Sequence, residues 1–275
     1  GGSGVAPEAL DALTHRLNHD DLPTVREYGG IGTADLAALA TLGLAVQARG
    51  VDLRADALGF ISSNAATIAD AALALAPLRD LLDAALVVAA LTFVAVAGNA
   101  ECFAEVVETV TPFPGARWVC STMRSLVAGA GAPSRIQDPF ALRTLPQAHG
   151  VASDAVDALA RVIDQMANSP SENPILLAEP PTVAHHGGFH ATYLVAACDA
   201  AALAVAQSAQ LILGRIGLLV EPAFTGLCPF LADGPPGASG IMMVEYVAAG
   251  ALGTLRAAAT PASLQTVTIS RGAEE

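Results

Sequence analysis

The sequence predicts an all-α protein built from a bundle of long helices, and three observations carry that reading. Hydrophobic residues make up 53% of the 275 positions while aromatics make up only 4%, so the apolar surface is mostly Ala, Leu and Val, which suits closely packed helices. Segments with helical periodicity alternate with short runs of Gly, Pro and Asn. No strand-like alternation of useful length interrupts them. A chain of this length can bury a substantial core, and it reads as one helical-bundle domain over 1–275.

The elements follow in order. Residues 7–17 open with Pro7 at a helix N-terminus, and 35–49 follow a glycine-rich turn with Asp35 at their start. A long pair spans 54–97 with an interruption predicted at Pro77, because proline has no N–H for the helix ladder. Further helices are predicted over 115–127 and, after Pro139, over 147–168, 188–220 and 239–258. The helix over 188–220 would run about 48 Å at ~1.5 Å per residue, a length suited to a bundle core or an oligomer seam. Ser239, in the only Ala-Ser-Gly of the chain, reads as an N-cap.

Composition excludes several functions. A net charge of −13 with no basic stripe argues against nucleic acid. The best membrane-span candidate, 84–100, falls short, contains Asn99 and is closed by Asp83 and Glu101, while other apolar runs are broken by Asp199, Arg215 or Glu245. No membrane partner is expected, and with no leader-like start the cytoplasm is the default. Cys102, Cys120, Cys198 and Cys228 lack metal-site spacing and read as buried thiols. His185, His186 and His190 read as packing or capping residues, so neither a metal nor a nucleotide cofactor is expected.

The runs SGVAPEAL, YGGIGTADLAALA, FPGARWV, RIQDPFALR, SPSENP, GGFHA, LLVEPAF, GASGIMM and PASLQTVTISRGAEE occur in that order across the chain. Together they resemble the histidine and aromatic amino acid ammonia-lyases. The resemblance implies a helical homotetramer that eliminates ammonia from an amino acid, or rearranges it. The reaction uses a methylidene-imidazolone (MIO) electrophile made from an internal Ala-Ser-Gly. It also implies that this chain is the central part of a longer one.

Residue by residue, the resemblance places that electrophile at Gly32, Thr33 and Ala34. The family's G-S-V-G-A-S-G-D-L is here G-G-I-G-T-A-D-L, one residue shorter, and Ala34 replaces the cyclising glycine. Ser62 falls where the family has a catalytic asparagine, with Asn64 two positions away; Phe140 replaces an active-site tyrosine; Glu274 matches the acid near the substrate amine. Gln137, Arg143, Asn173 and Phe189 match substrate-binding positions, with Arg143 expected to hold the carboxylate as a bidentate pair. Plainer roles stay open beside these: Thr33 as a helix N-cap, Arg143 in an internal ion pair, Asn173 in the turn before Pro174, Ser62 as a small packing residue. Three functions also stay open. They are an ammonia-lyase or aminomutase, an enzyme on the same scaffold that binds a carboxylate substrate without MIO, and a non-catalytic helical paralogue.

Overall fold

The computed structural model describes residues 4–26, 28–30, 34–54, 56–265 and 270–272. Its helices in chain order are α1 (Pro7–Asn18), α2 (Leu36–Gln47), α3 (Ala57–Ile61), α4 (Ala65–Ala95), α5 (Glu105–Val110), α6 (Pro114–Leu126), α7 (Phe140–Arg143) and α8 (Leu145–Ala167), then α9 (Thr192–Val220), α10 (Pro222–Thr225) and α11 (Met242–Ala258). One antiparallel hairpin, β1 (Ile175–Leu177) and β2 (Thr182–Ala184), pairs Leu176 with Val183. The all-α class is therefore correct, with this short hairpin as the exception.

The chain packs as two compact units. The first comprises Gly1–Ala74, Ala160–Ala196 and Ala262–Glu275; the second comprises Leu75–Leu159 and Ala197–Pro261. In the first, Ala9 and Ala12 of α1, Val46 of α2 and Phe60 of α3 form the core with Leu53. In the second, Leu86 and Phe93 of α4 pack with Val96 and Phe103, with Val119 and Met123 of α6 and with Leu142 of α7.

Helix α6 shows how sequence sets packing in the second unit. Its buried positions, Gly115, Ala116, Val119, Cys120 and Met123, recur at three and four residues, giving one apolar face. At its start a Cβ on Gly115 would lie 2.1 Å from the Gly150 carbonyl oxygen of α8, so two glycines permit backbone contact there. Asp154 of α8 then accepts the Gly115 N–H at 2.8 Å, satisfying one of the free donors of the first turn.

Three predicted boundaries move. Helix α4 runs through Pro77 unbroken: the carbonyl that loses its partner belongs to Leu73, a residue that is 75% exposed. The break falls instead at Ser62–Asn64. Helix α9 begins at Thr192 rather than 188, because His186 folds the preceding segment back through its own hydrogen bonds. Ser239 is not the cap of α11; that position is Ile241, with no side-chain cap, and the Ser239 carbonyl accepts the Met242 N–H. Gly240 is needed there for another reason, since a Cβ would lie 2.2 Å from the Phe230 carbonyl oxygen.

Helix α9 has the length and a mean hydropathy of 1.6 over its most apolar window that a membrane-crossing helix has. It also carries Asp199 and, within the second unit, buries Ser208 and Arg215.

Candidate functional site

The predicted site residues fall in two sets, one in each unit. Gly32, Thr33 and Glu274 lie outside the described residues.

In the first unit, Ala34 is buried and adopts φ +58°, a left-handed conformation that suits glycine. The next residue fixes the turn. Asp35 donates its N–H to the Ser63 carbonyl at 2.8 Å, and its carboxylate accepts the Thr67 N–H at 2.8 Å and the Thr67 hydroxyl at 2.5 Å. Thr67 is the third residue of α4, so Asp35 does the work of a helix cap for α4 rather than for α2, where it makes no side-chain cap bond. Ser62 ends α3, its N–H donated to Leu58, and is half-buried.

Asn64 is 3% exposed and its amide donates to the Phe189 carbonyl, which brings the neighbour of the expected asparagine position against a predicted substrate wall. Asn173 accepts the His186 N–H at 2.9 Å. The His186 ring accepts the Gly188 N–H on Nδ1 at 2.9 Å, so Nε2 carries the proton and donates to the Glu172 carbonyl at 2.6 Å. Oε2 of Glu172 is buried without a hydrogen-bond partner. Asn173 thus holds a loop, as its plainer reading has it.

In the second unit, Gln137, Phe140 and Arg143 line one cleft of about 420 Å³ together with Asn99, Glu101 and Asp138. The guanidinium of Arg143 lies over the Phe140 ring, 4.8 Å from its centroid, and its Nε is buried with no hydrogen-bond partner. Among the described residues Arg143 forms no ion pair. Phe140 is 67% exposed and offers no O–H.

The loop that carries these residues is clamped. Asp138, 4% exposed, accepts the Asn99 N–H at 2.7 Å and Arg135 Nε at 2.8 Å, and Asn99 donates back to the Ile136 carbonyl at 2.8 Å. Arg135 also donates to the Val96 carbonyl at 2.7 Å and lies over the Phe224 ring. Beneath α7, Arg215 is 3% exposed and donates to the Ala141 carbonyl at 3.4 Å; burial lowers its pKa to about 10. Sequence reasoning missed the clamp although Arg135 and Asp138 sit inside the RIQDPFALR run, because Asn99, their partner, lies 39 residues from Asp138.

The all-α order of long helices is that of the aromatic amino acid lyase fold. The model of the family "Aromatic amino acid lyase" matches residues 1–53 and 51–275, and the chain belongs to that family. It is 29% identical to histidine ammonia-lyase of Stigmatella aurantiaca over 100% of this chain and 60% of that protein. Against the Deinococcus radiodurans histidine ammonia-lyase the identity is 31%, over 100% and 58%. Among solved structures, the ergothioneine-degrading ergothionase from Treponema denticola superposes with a TM-score of 0.89 at 20% identity, covering 99% of this chain and 61% of that one. Pantoea agglomerans phenylalanine aminomutase gives 0.88 at 22%, covering 99% and 62%. These structures share the fold. The chain spans about 60% of the length of the curated relatives it matches.

The residues at the family's electrophile position do not fit an MIO group. Its formation needs a β-hydroxy residue followed by one whose amide nitrogen reaches back to a carbonyl, a closure that glycine permits. Here that second residue is Ala34, whose Cβ is buried and whose successor is tied to Ser63.

Proposed function

We propose that the complete protein is a carbon-nitrogen lyase-like enzyme acting on an aromatic or histidine-like amino acid, eliminating ammonia from it or rearranging it. The observation that carries this reading is Arg143: a guanidinium in a cleft, with Nε unpartnered and, among the described residues, no carboxylate paired to it. A planar fork of N–H donors in that state matches a substrate carboxylate, and the Gln137 amide on the same cleft supplies a further neutral donor. A charge-assisted contact of this type contributes about 1.5–3 kcal/mol. Calorimetry with an aromatic amino acid or its unsaturated acid should therefore show affinity falling roughly 10- to 100-fold in Arg143→Ala. Unchanged affinity would remove the reading.

The same proposal makes the protein a homotetramer. Its support is the α4 stripe of Leu81, Val88, Leu91 and Val94, each more than half exposed and spaced so that they share one face. Light scattering on the complete protein tests it, and a monomer at micromolar concentration would refute it. A reducing compartment such as the cytoplasm fits the four free cysteines.

A further inference from the structure

We propose that this chain builds no MIO group, and that residues 32–34 remain an ordinary open peptide, followed by an Asp35 that serves to cap α4. The inference takes the family membership as given. It rests on the proposed amino acid chemistry only where it concerns what the enzyme does with its substrate amine.

Formation of the group requires two losses of water. The backbone nitrogen of residue 34 forms a bond to the carbonyl carbon of residue 32 and that oxygen leaves as water; residue 33 then loses its hydroxyl and its Cα hydrogen as a second water, leaving a carbon-carbon double bond. The second loss is open to Thr33, which has a β-hydroxyl. The first falls on Ala34. Its nitrogen would have to close onto a carbonyl two residues back while a methyl group, absent in glycine, is carried along in a buried site.

The surroundings of the turn point the same way. Asp35 is bonded through both its backbone and its carboxylate, to Ser63 and to Thr67, so the peptide that follows Ala34 is held where α4 needs it. Ala34 itself keeps a left-handed φ of +58° beside these bonds. Two other groups that the resemblance sets beside an electrophile are replaced in this sequence. Ser62 has no amide, and one N–H of the neighbouring Asn64 amide is given to the Phe189 carbonyl. Phe140 cannot move a proton. These features lie in separate stretches of the chain, and each removes a part of one chemical step. Any elimination this protein performs therefore proceeds without covalent capture of the substrate amine.

The test is the intact mass of the complete protein together with its near-ultraviolet spectrum. The expected result is the mass calculated from the sequence and no added absorbance near ~310 nm, the region where an electrophile of this type absorbs. Incubation with cyanide or borohydride should leave mass and spectrum unchanged. A mass lower by two waters, or a band that such a nucleophile bleaches, overturns the inference and leaves the carbon-nitrogen lyase reading standing. The converse is also distinguishable. An unmodified chain that fails to bind aromatic acids upholds the open peptide while removing the role given to Arg143.

Discussion

Replacing Asp138 by alanine should destabilise the protein by about 2–4 kcal/mol, chiefly because it strands a buried backbone N–H. The carboxylate is 4% exposed and serves two donors, Asn99 N–H at 2.7 Å and Arg135 Nε at 2.8 Å. With the side chain cut back, Asn99 keeps no acceptor for its N–H, and a buried unsatisfied donor of this type costs about 1–3 kcal/mol. Arg135 suffers less. Its guanidinium retains the Val96 carbonyl and the Ser134 hydroxyl, so about 1 kcal/mol is a fair share for its lost partner. Asp138→Asn retains an oxygen for Asn99 but turns an NH₂ toward Arg135, and should lose about half as much. Urea unfolding of the complete protein measures both. A loss below about 0.5 kcal/mol in the alanine variant would refute the claim that this carboxylate holds the loop.

Gly150→Ala would place a Cβ 2.5 Å from the Ala116 nitrogen, backbone against backbone, and should destabilise by about 1–3 kcal/mol, whereas Gly131→Ala meets nothing within 4 Å and should change little; thermal melts of the two variants compare them. His149 is 1% exposed, and burial, with the Arg215 charge adding to it, lowers its pKa; its Nε2 donates to the Leu82 carbonyl and Nδ1 accepts the Ser208 hydroxyl. The unfolded chain then binds a proton that the folded chain refuses, so stability from this residue is full above the ordinary value of 6.5 and falls as pH drops below it. Denaturation midpoints between about pH 7.5 and 5.5 should show this slope, and His149→Gln should flatten it. Burial pushes the Cys102 thiol up to about 12, and Cys120 is fully buried, so alkylation mapped by mass should label exposed Cys228 first; equal labelling of Cys102 would contradict the packing around it.

The helices were legible because their signal is local: apolar spacing, Pro7 at a helix start, and glycine-rich turns. What the sequence could not show was where a helix end finds its partners. Pro77 carries the strongest breaking signal in its segment, yet α4 passes through it on a stretch where Leu73, the residue four before it, is exposed. The true break at Ser62–Asn64 owes its definition to Asp35, which caps α4 from 32 residues away. The start of α9 depended likewise on a histidine ring whose two partners, Glu172 and Gly188, lie on either side of a hairpin.

The same distinction orders the candidate site. Asn173 has a structural partner in the His186 N–H, so its side chain is explained by the fold of its loop, whereas Phe189 lends Asn64 only a backbone carbonyl. Asp35, the surviving acid of the electrophile loop, is explained by its bonds to Ser63 and Thr67. Arg143 differs from all of these. Its loop is braced from below by Arg215 at the Ala141 carbonyl and from the side by Asp138, while its own Nε has no partner and its neighbour Phe140 offers only a ring face. A guanidinium held by several buried contacts, and in no ion pair among the described residues, is what supports the proposed role of Arg143 toward a substrate carboxylate. The carboxylate reading of the site therefore stands on Arg143, and the residues around the electrophile position bear on the chemistry alone.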